Sequence, residues 1–398
     1  MMLDQACFKN KKVLIRVDFN LPITESGIVT DDRRMRSSLQ TIQKVIADGG
    51  IAILIAHFGR PKNGYEERYS LRRLLPTLSN LLANPIVFVP SCVGSEVKNL
   101  IDSLEPGTVA LLENVRFHKE ETLGDIAFAQ ELASLADTYI NEAFGTIHRN
   151  HASISLLPAY FKERFAGYLL QEEIAAMNKL FLKENQPVIA IMGGSKLVDK
   201  AKPIKGLVNY AEHILIGGGL VWPFYHAQQT TSGRLSVCAQ EEVAFIANDV
   251  CNHINKNMHC QLSLPIDVVH APEIHEQAHP CISSLENLPY GSHILDIGPA
   301  TQAHFTSFIL QAKTILWSGP MGIFEWDKFS TGTAMIARAV AQATANGAFS
   351  IIGGGDTAAA ITTMGYEENV SYISTGGGAL LAYIAADRKL PSLEALQV

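Results

Sequence analysis

The sequence predicts an α/β protein of two domains, each built around a mostly parallel β-sheet flanked by helices. The chain has 398 residues, which is too long for one typical core, so two domains are expected. Apolar runs rich in β-branched residues alternate with amphipathic helical stretches, as parallel sheets with helical crossovers require. Almost every apolar run ends in a polar or glycine-rich turn. Ligands of open parallel sheets bind just beyond such strand ends, so these turns are candidate sites.

The composition is that of an ordinary soluble globular protein, with 47% hydrophobic and 18% charged residues. The net charge of −7 argues against a nucleic-acid-binding protein, whose affinity depends on neutralising phosphates. A local basic funnel can still attract a small anion within an acidic protein. There is no apolar signal core at the start of the sequence and no apolar run of bilayer length, so we expect a cytoplasmic protein without membrane contact.

The cysteines are scattered and form no CxxC pair, which argues against a zinc site and against a disulfide framework. We therefore expect free thiols in a reducing compartment. The six positions are Cys7, Cys92, Cys238, Cys251, Cys260 and Cys281.

Three helices are predicted in the first half of the chain. Leu39–Ile46 repeats apolar residues at helical spacing and is followed by Asp48-Gly49-Gly50, a stop signal. Leu71–Leu82 follows Ser70, which can cap a helix, and Asp125–Ala136 has a third helical pattern. These helices alternate with the strand-like runs, so right-handed crossovers place every strand's carboxyl end on one side of the sheet.

The two domains are expected to divide near Gly167. Tyr168–Lys183 has a long helical pattern and is followed by Pro187 and a new strand at Val188–Met192. We predict an N-terminal domain over 1–167 and a C-terminal domain over 168–385, with 168–185 as an interdomain helix able to carry hinge motion. The tail, 386–398, has no strand pattern and is expected to dock on one of the domains.

The turns of the first half carry cations. Guanidinium groups offer a planar fork of donors that suits carboxylate and phosphate, and histidines add further donors. A single arginine in a loop often serves only solubility, but four of them near predicted strand ends favour an anion site. These cationic positions are Arg34, Arg60, Arg116, Arg149, His57, His148 and His151, with Asp18 and Asn20 among them. Asp18 can orient an arginine or accept from a substrate hydroxyl, or it forms an Asx turn.

The turns of the second half carry glycine. Gly193-Gly194-Ser195-Lys196 follows a predicted strand and precedes a predicted helix, and glycines let backbone amides approach a phosphate at a helix N-terminus. Lys196 and Lys200 are cations near that position. Glycine at one strand–helix turn is often structural, but here triplets recur, which favours a nucleotide site. The triplets are Gly217–Gly219, Gly353–Gly355 and Gly376–Gly378.

Two common nucleotide motifs were considered. No GxxxxGK[ST] run occurs, so the chain is not a P-loop protein. Gly353–Ala358 matches the GxGxxA dinucleotide fingerprint, but Asp356 then lies where a pyrophosphate has to sit. Because two anions repel unless a cation lies between them, this favours a Mg²⁺–nucleotide with Asp356 as a metal ligand. The alternative is that Asp356 is an ordinary N-cap. Glu325 can bind ribose hydroxyls, although its spacing alone favours a solvated loop carboxylate.

From about Val13 to Leu390 the chain resembles phosphoglycerate kinase. The series RVDFNLP, HFGRP, LLENVRFHKEE, NEAFGTIHRNHAS, GGSKLVDK, LIGGGL, LDIGPAT, GPMGIFE, GGGDTAAA and STGGGA occurs in the family's order. The resemblance implies reversible, Mg²⁺-dependent phosphoryl transfer between ATP and 3-phosphoglycerate in glycolysis and gluconeogenesis, giving 1,3-bisphosphoglycerate and ADP. It implies a monomer of two Rossmann-like domains. The N-terminal domain binds phosphoglycerate, the C-terminal domain binds Mg-nucleotide, and the tail returns to the N-terminal domain.

The resemblance also implies roles for individual positions. Arg34 and Lys196 are implied to be catalytic, with Gly376 in a loop whose amides face the transferred group. Asp356 is implied to be the Mg²⁺ ligand. The implied substrate positions are Asp18, Phe19, Asn20, Arg34, His57, Phe58, Gly59, Arg60, Arg116 and Arg149. The implied nucleotide positions are Gly194, Lys200, Gly218, Glu325, Gly354, Gly355, Asp356 and Thr357.

This chemistry requires no general base. Phosphoryl transfer needs in-line placement and charge neutralisation more than covalent chemistry from the protein. The acceptor carboxylate is already ionised at about pH 7, so we predict no Asp or His as catalytic proton acceptor. Arg34 and Lys196 are expected to neutralise the transferring group together with Mg²⁺ and glycine amides. Because they belong to different domains, catalysis is expected to need hinge closure and expulsion of water.

Some positions depart from the family's pattern without removing a charge assigned to the reaction. These departures are expected to affect nucleotide affinity and hinge behaviour more than the activity. Ser318 replaces the usual Asn, Phe58 a Leu and Glu142 an Asp, Ala382 stands where the family often has Glu, and Leu197 and Val198 differ within GGSKLVDK.

Two other functions are disfavoured. A NAD-dependent dehydrogenase predicts an acidic residue about twenty positions beyond the fingerprint, and none ends the SYISTGG strand there. A non-catalytic binding protein that kept the fold predicts loss of Arg34, Lys196 or Asp356, and all three are present. A second, binding role alongside catalysis is compatible with the sequence.

Overall fold

The computed structural model describes residues 3–231, 241–257 and 259–396. It divides into two compact units. Unit 1 runs to Ile174 and includes the segment that begins at Lys389, and unit 2 runs from Ala175 to Arg388. Five of the six cysteines are described, and all five are free thiols; Cys238 lies outside the described residues. Within the described ranges, no helix combines the length and apolar character that crossing a membrane requires.

Unit 1 is organised around one six-stranded parallel sheet in the order β3-β4-β2-β1-β5-β6. Its strands are β1 (Lys12–Val17), β2 (Ile51–Ile55), β3 (Ile86–Val89), β4 (Val109–Leu112), β5 (Thr138–Glu142) and β6 (Glu163–Ala166). The helices are α1 (Arg33–Ser37), α2 (Leu39–Ala47), α3 (Leu75–Leu82), α4 (Ser95–Asp102), α5 (Lys119–Leu123) and α6 (Ile126–Ala133). All five residues of β2 are buried, as expected for a central strand covered on both faces.

Local sequence explains where the helices of unit 1 begin. The Asp125 carboxylate accepts a hydrogen bond from Phe128 N at 2.8 Å and caps α6. Pro76 lies in the first turn of α3, where no backbone N–H is required. The predicted helix Leu39–Ile46 corresponds to α2, and the predicted helix at Leu71–Leu82 is a 3₁₀ turn, Leu71–Leu74, followed by α3.

The helix α7 (Tyr168–Asn178) contains the division between the units, which falls after Ile174. It is shorter than the predicted helix, because the chain continues in two 3₁₀ turns, Lys179–Phe181 and Lys183–Asn185.

Unit 2 contains a six-stranded parallel sheet in the order β15-β14-β13-β7-β8-β9 and a three-stranded antiparallel sheet in the order β11-β10-β12. The strands are β7 (Val188–Met192), β8 (His213–Ile216), β9 (Gln261–Ser263), β10 (Asp267–Ala271), β11 (Cys281–Ser284), β12 (His293–Ile297), β13 (Thr314–Ser318), β14 (Phe349–Gly353) and β15 (Tyr372–Ile373). The helices are α8 (Leu197–Leu207), α9 (Val221–Thr231), α10 (Glu241–Asn255), α11 (Pro299–Ile309), α12 (Thr331–Ala345), α13 (Gly355–Thr363) and α14 (Gly377–Ala385).

A last helix, α15 (Pro391–Leu396), belongs to unit 1. The predicted fold class of two mostly parallel sheets flanked by helices is confirmed, but the antiparallel sheet was not predicted. In each parallel sheet the first strand lies in the interior. β1 has β2 on one side and β5 on the other, and β7 lies between β13 and β8. Strand order reverses at these positions, so each unit has its natural ligand crevice beside its first strand.

Candidate functional site

Unit 1 carries a basic cavity of about 980 Å³, which we call the cationic site. The loops that line it follow β2, β4 and β5, so the parallel sheet brings together residues that are distant in sequence. Three predicted substrate residues line it: Arg60, Arg116 and Arg149. The cavity also contains basic groups that were not assigned to the site from sequence, namely Lys62, His118 and Lys119. The HKEE run resembles an ordinary solvated helix start, which explains why the last two were missed.

The arginines of the cationic site are crowded. Arg116 donates from Nη1 to the carbonyl of Gly59 at 2.7 Å, but its buried Nε has no hydrogen-bond partner. Burial, and then the charge of Arg149, lowers the pKa of Arg116 to about 10. Burial also lowers the pKa of Arg149. Both stay charged at neutral pH, so an unpaired donor and mutually repelling cations favour an anion in this cavity.

The histidines beside these arginines are neutral donors or acceptors. Burial, followed by nearby arginine charge, lowers the pKa of His151 to about 4 and holds that of His57 well below its usual range. The pKa of His148 is also lowered, mainly by burial, and its buried Nδ1 has no hydrogen-bond partner. The positive charge of the site therefore resides on arginine and lysine, while the imidazoles supply directional hydrogen bonds.

A second group of predicted substrate residues surrounds the end of β1 without lining the cavity. Arg34 Nη1 lies 3.3 Å from an oxygen of Asp18 and 3.2 Å from the carbonyl of Asn20. The amide of Gly59 donates to Asn20 Oδ1 at 2.9 Å. Gly59 has φ of +63°, and a Cβ there would lie 2.2 Å from the Tyr69 ring, so only glycine fits.

The side chains of Phe19 and Phe58 belong to the hydrophobic core of unit 1. Any ligand contact at these two positions therefore has to come from the backbone. His57 is also buried, but its ring faces Arg149 across a short gap, with Nε2 3.4 Å from Nη1.

Unit 2 carries a cavity of about 770 Å³ at the carboxyl ends of β7, β13 and β14, which we call the glycine-rich site. Of the predicted residues, it is lined by Gly194, Lys196, Lys200, Gly354, Gly355, Asp356 and Thr357. Lys202 and an apolar wall that includes Leu381 were not assigned from sequence. Ser318 and Ala382, two of the departures from the family's pattern, also line this cavity.

Lys200 is the most buried cation of the glycine-rich site. Its ammonium group donates to the carbonyls of Gly193 and Ser318, the latter at 2.7 Å, and so joins the ends of β7 and β13. Burial lowers its pKa to about 8, while the carboxylates of Asp356 and Asp199 oppose that shift. It therefore remains mostly protonated at neutral pH. Neutral carbonyls compensate its charge only in part, so a phosphate fits beside it.

The glycine turns interlock closely. Gly193 N donates to the Ser318 carbonyl at 3.0 Å and Gly194 N to the Pro320 carbonyl at 2.9 Å. A Cβ on Gly193 would lie 2.0 Å from the Pro320 oxygen. Gly218 has φ of +60° and donates its amide to Met321, so in this structure it packs the turns and does not line the cavity.

Helix N-termini complete the glycine-rich site. Asp356 is exposed in the first turn of α13, and Lys196 is the exposed N-cap residue of α8. The Thr357 hydroxyl accepts from Gly319 N at 2.6 Å and donates to the Gly353 carbonyl at 3.0 Å, which ties β13 to β14. Anions bind at helix N-termini because their backbone N–H groups and dipole are oriented toward the ligand.

Two predicted residues lie apart from this cavity. Glu325 is exposed and does not line it. Gly376 is buried and donates its amide to Ser374 Oγ at 3.2 Å, whereas the adjacent Gly377 and Gly378 line the cavity.

Two carboxylates, Asp199 and Asp356, line the glycine-rich site. Across the described ranges, no group of three or more His, Cys, Asp and Glu side chains could hold a metal ion. Asp356 lies in the first turn of α13, directly after the Gly353–Gly355 turn, and Asp199 lies in the first turn of α8. Mg²⁺ is commonly held by one or two carboxylates together with nucleotide phosphates and water, so this arrangement fits a metal that arrives with its nucleotide.

Glu142, one of the departures from the family's pattern, is a buried structural residue of unit 1. It does not line the cationic site. Its carboxylate is fully buried, accepts from Thr41 Oγ1 at 2.6 Å and from Leu169 N at 3.1 Å, and caps α7. Burial raises its pKa to about 7.

Comparison with known proteins identifies one family over nearly the whole chain. Residues 3–387 match the family model for phosphoglycerate kinase. A phosphoglycerate kinase of Chlorobium limicola is 41% identical over 99% of this chain and 98% of its own length. One of Dictyoglomus turgidum is 43% identical over 98% of this chain and 96% of its own. The structure of phosphoglycerate kinase from Coxiella burnetii is similar with a TM-score of 0.85 at 34% identity, covering 100% of this chain and 98% of the other.

Proposed function

The chain belongs to the phosphoglycerate kinase family, the glycolytic kinases that transfer phosphoryl groups to a carboxyl acceptor, and on this premise we propose that it interconverts ATP plus 3-phosphoglycerate with ADP plus 1,3-bisphosphoglycerate. The observation that carries the proposal is the presence of two different anion sites in one chain. One is built from arginine side chains, and the other from glycine turns and helix N-termini. The first suits a small phosphorylated acid and the second suits nucleotide phosphates.

The proposed substrate contacts come from the cationic site and the end of β1. Arg60, Arg116 and Arg149 bind the phosphorylated acid, with Arg116 contributing the buried Nε that lacks a partner. Asp18 and Asn20 are held near Arg34 by the contacts described above, and we assign them to the substrate's polar groups. Gly59 contributes to the shape of the turn between them. The side chains of Phe19 and Phe58 support these loops from the core.

In the proposed transfer, a carboxylate oxygen of 3-phosphoglycerate forms a bond to the γ-phosphorus of ATP while the bond from that phosphorus to the β,γ-bridging oxygen breaks. The electron pair leaves on ADP. No proton has to be removed from the acceptor. Arg34 and Lys196 balance the charge of the transferring group, and Lys200 holds nucleotide phosphates.

The remaining nucleotide contacts are assigned on the same basis. The amides of Gly354 and Gly355 face phosphates. Gly194 and Gly376, whose amides donate to the Pro320 carbonyl and to Ser374 Oγ, shape the phosphate-binding turns, and Thr357 supports them. Gly218 and Glu325 are assigned to the nucleoside. Asp356 is the residue that holds Mg²⁺, which supplies charge neutralisation to the phosphates when bound.

The groups assigned to the reaction come from both units, so we also propose that the two sites meet during turnover by motion about α7, which excludes water. We propose a monomer in the cytoplasm, whose N-terminal domain binds the phosphorylated acid and whose C-terminal domain binds the nucleotide. No nucleic acid or membrane partner is part of this function.

The test is a coupled assay of ATP consumption with 3-phosphoglycerate and Mg²⁺, trapping the acyl phosphate product, for the native chain and for Lys196→Ala. Activity should fall about a hundredfold or more in Lys196→Ala, the size of losing one transition-state donor. Lys202→Ala is the matched control, because Lys202 is another exposed cation lining the same cavity. It should retain most of the activity.

Absence of acyl phosphate from the native chain, with nucleotide still bound, would refute the proposed function. Equal losses in Lys196→Ala and Lys202→Ala would refute the specific role of Lys196, because both changes remove one positive charge from the cavity.

A further inference from the structure

A buried arginine in β1 has no role in the function described so far. Arg16 is 1% exposed although it lies between the apolar residues Ile15 and Val17 of β1. Its Nη1 donates to the carbonyl of Val17, its Nε donates to Ser153 Oγ at 2.9 Å, and its Nη2 lies 3.2 Å from His57 Nδ1. Burying a charge inside a sheet costs free energy unless the charge is paired. The presence of Arg16 in β1 therefore suggests that it has a specific role.

The charge of Arg16 is balanced through Ser153. Glu121 is fully buried and accepts from Ser153 N at 2.9 Å and from Ser153 Oγ at 2.7 Å. The single hydroxyl proton of Ser153 is used toward Glu121, so its oxygen accepts from Arg16. The π-helical turn Ala152–Leu156 fixes Ser153 in this bridging position. The guanidinium of Arg16 is therefore held in one orientation.

That orientation determines which nitrogen of His57 carries its proton. A guanidinium has N–H donors and no acceptor, and a neutral imidazole can accept at one nitrogen only. The contact of His57 Nδ1 with Arg16 is shorter and more buried than that of Nε2 with Arg149, 3.2 Å against 3.4 Å, so Nδ1 is assigned as the acceptor. His57 is buried among Arg16, Arg116 and Arg149, which keep it neutral. A neutral imidazole has one N–H, which is then on Nε2.

The Nε2–H group has no acceptor in its contact with Arg149. Nε2 lies 3.4 Å from Arg149 Nη1, which also carries only hydrogens. Two donors that face each other in this way do not bond to each other, but they can both donate to one anionic oxygen placed beside them.

We propose that Arg16 is a positioning residue that fixes His57 as its Nε2–H tautomer, so that His57 and Arg149 donate together to one oxygen of an anionic substrate. The identity of that substrate, a phosphorylated carboxylic acid, rests on the proposed function; the tautomer does not. Ser153 and Glu121 hold Arg16 in place, and none of the three touches the substrate.

The first measurement is the tautomer of His57 in the native chain, by long-range ¹H–¹⁵N correlation spectroscopy of protein labelled with ¹⁵N-histidine. His57→Gln identifies the signals of His57 among the 13 histidines. We expect an unprotonated Nδ1 and a protonated Nε2. A protonated Nδ1 in the native chain would overturn the proposal, and this result does not depend on any variant folding.

The second measurement compares Arg16→Met with Arg164→Met. Arg164 is a half-buried arginine of unit 1 that donates to the Phe161 carbonyl at 2.9 Å and does not line the cationic site. Arg16→Met should produce Nδ1–H signal at His57 and raise KM for 3-phosphoglycerate about tenfold, the usual effect of losing one charge-assisted hydrogen bond, with KM for ATP unchanged. Arg164→Met should change none of these.

Substrate binding to the native chain distinguishes the proposed function from the proposed role of Arg16. Added 3-phosphoglycerate should shift the Nε2–H resonance of His57, and binding without such a shift would overturn the shared-oxygen contact. If the native chain neither binds nor phosphorylates 3-phosphoglycerate, the proposed function fails, while the tautomer measurement still decides the role of Arg16. An unchanged His57 tautomer in folded Arg16→Met would also overturn that role.

Discussion

The cationic site and the glycine-rich site, as we propose them, bind anions with different parts of the chain. In unit 1 the donors are side chains, and His57 among them contacts a buried layer that includes Arg16 and Glu121. In unit 2 the donors are mostly backbone amides, and their geometry is set by contacts between turns that leave no room for a Cβ. Substitutions that remove side-chain atoms are therefore expected to impair the cationic site, whereas substitutions that add side-chain atoms are expected to impair the glycine-rich site.

The largest expected effect is that of adding a Cβ to a closely packed glycine of unit 2. In Gly193→Ala the new Cβ meets the Pro320 carbonyl at 2.0 Å and the Gly319 carbonyl at 2.5 Å. Because both obstacles are backbone, we expect the free energy of unfolding to fall by about 3 kcal/mol or more, with loss of nucleotide binding. The three tryptophans, Trp222, Trp317 and Trp326, all belong to unit 2, so their fluorescence during urea unfolding reports this unit.

Gly378→Ala is the matched control, because nothing lies within 4 Å of its added Cβ. Alanine favours helix over glycine, so its stability should equal or slightly exceed that of the native chain. Comparable losses in both variants would contradict the view that interlocked backbone turns, and not glycine content, define this site.

The next prediction concerns how the free energy of unfolding depends on pH, because each unit contains a buried carboxylate with a raised pKa. Burial raises the pKa of Glu142 to about 7, from 4.5 in an unperturbed glutamate. Between those pH values the folded state keeps a proton that the unfolded chain has lost, so this residue lowers the free energy of unfolding as pH rises. Glu142→Gln removes that titration. Its stability relative to the native chain should therefore increase by up to about 3 kcal/mol between about pH 5 and pH 8.

Asp296 is the counterpart in unit 2. It is buried, accepts from Gly332 N at 2.5 Å near the start of α12, and burial raises its pKa to about 7. The stability of Asp296→Asn relative to the native chain should likewise increase between about pH 5 and pH 8. Tryptophan fluorescence measures this change, because the tryptophans belong to unit 2. If the free energy of unfolding of each variant differs from that of the native chain by a constant amount between about pH 5 and pH 8, these carboxylates titrate normally and the prediction is wrong.

The smallest predicted effects compare cations within the cationic site. Arg149→Ala should raise KM for 3-phosphoglycerate about 10- to 100-fold, because a half-buried guanidinium makes charge-assisted hydrogen bonds. Lys62→Ala should raise it less than about threefold, because Lys62 is exposed and its charge is screened. Initial-rate kinetics at fixed ionic strength measure both. Similar KM values for the two variants would mean that net charge matters more than geometry.

The parallel sheets and most ligand turns could be predicted because they follow from local patterns. Strand Val188–Met192 ends in Gly193-Gly194, and the structure has β7 with those bounds. The antiparallel sheet was missed because β10, β11 and β12 are short and carry polar residues such as His270 and Asp296 without clean alternation. Their pairing is decided by tertiary contacts that sequence periodicity does not report.

The buried layer beneath the cationic site was also missed, although one signal for it exists. Arg16 interrupts the apolar run from Val13 to Val17, and a charge within a buried strand requires a partner. That partner could not be identified in advance, because Glu121 and Ser153 are distant in sequence and Glu121 lies in a run that resembles a solvated helix. The positions of Lys200 and Glu142 depended likewise on which carbonyls and amides the fold brings near them.

The terminal helix α15 affects the order in which the protein can be completed during synthesis. Ser392 Oγ donates to the Ile147 carbonyl at 2.5 Å, and Leu393 and Leu396 are buried. These residues leave the ribosome only after all of unit 2, whose own segment, Ala175–Arg388, is continuous. A nascent chain halted after Arg388 should therefore show a protease-resistant unit 2 and a more readily cleaved unit 1. Synthesis of unit 1 therefore begins before that of unit 2 and ends after it.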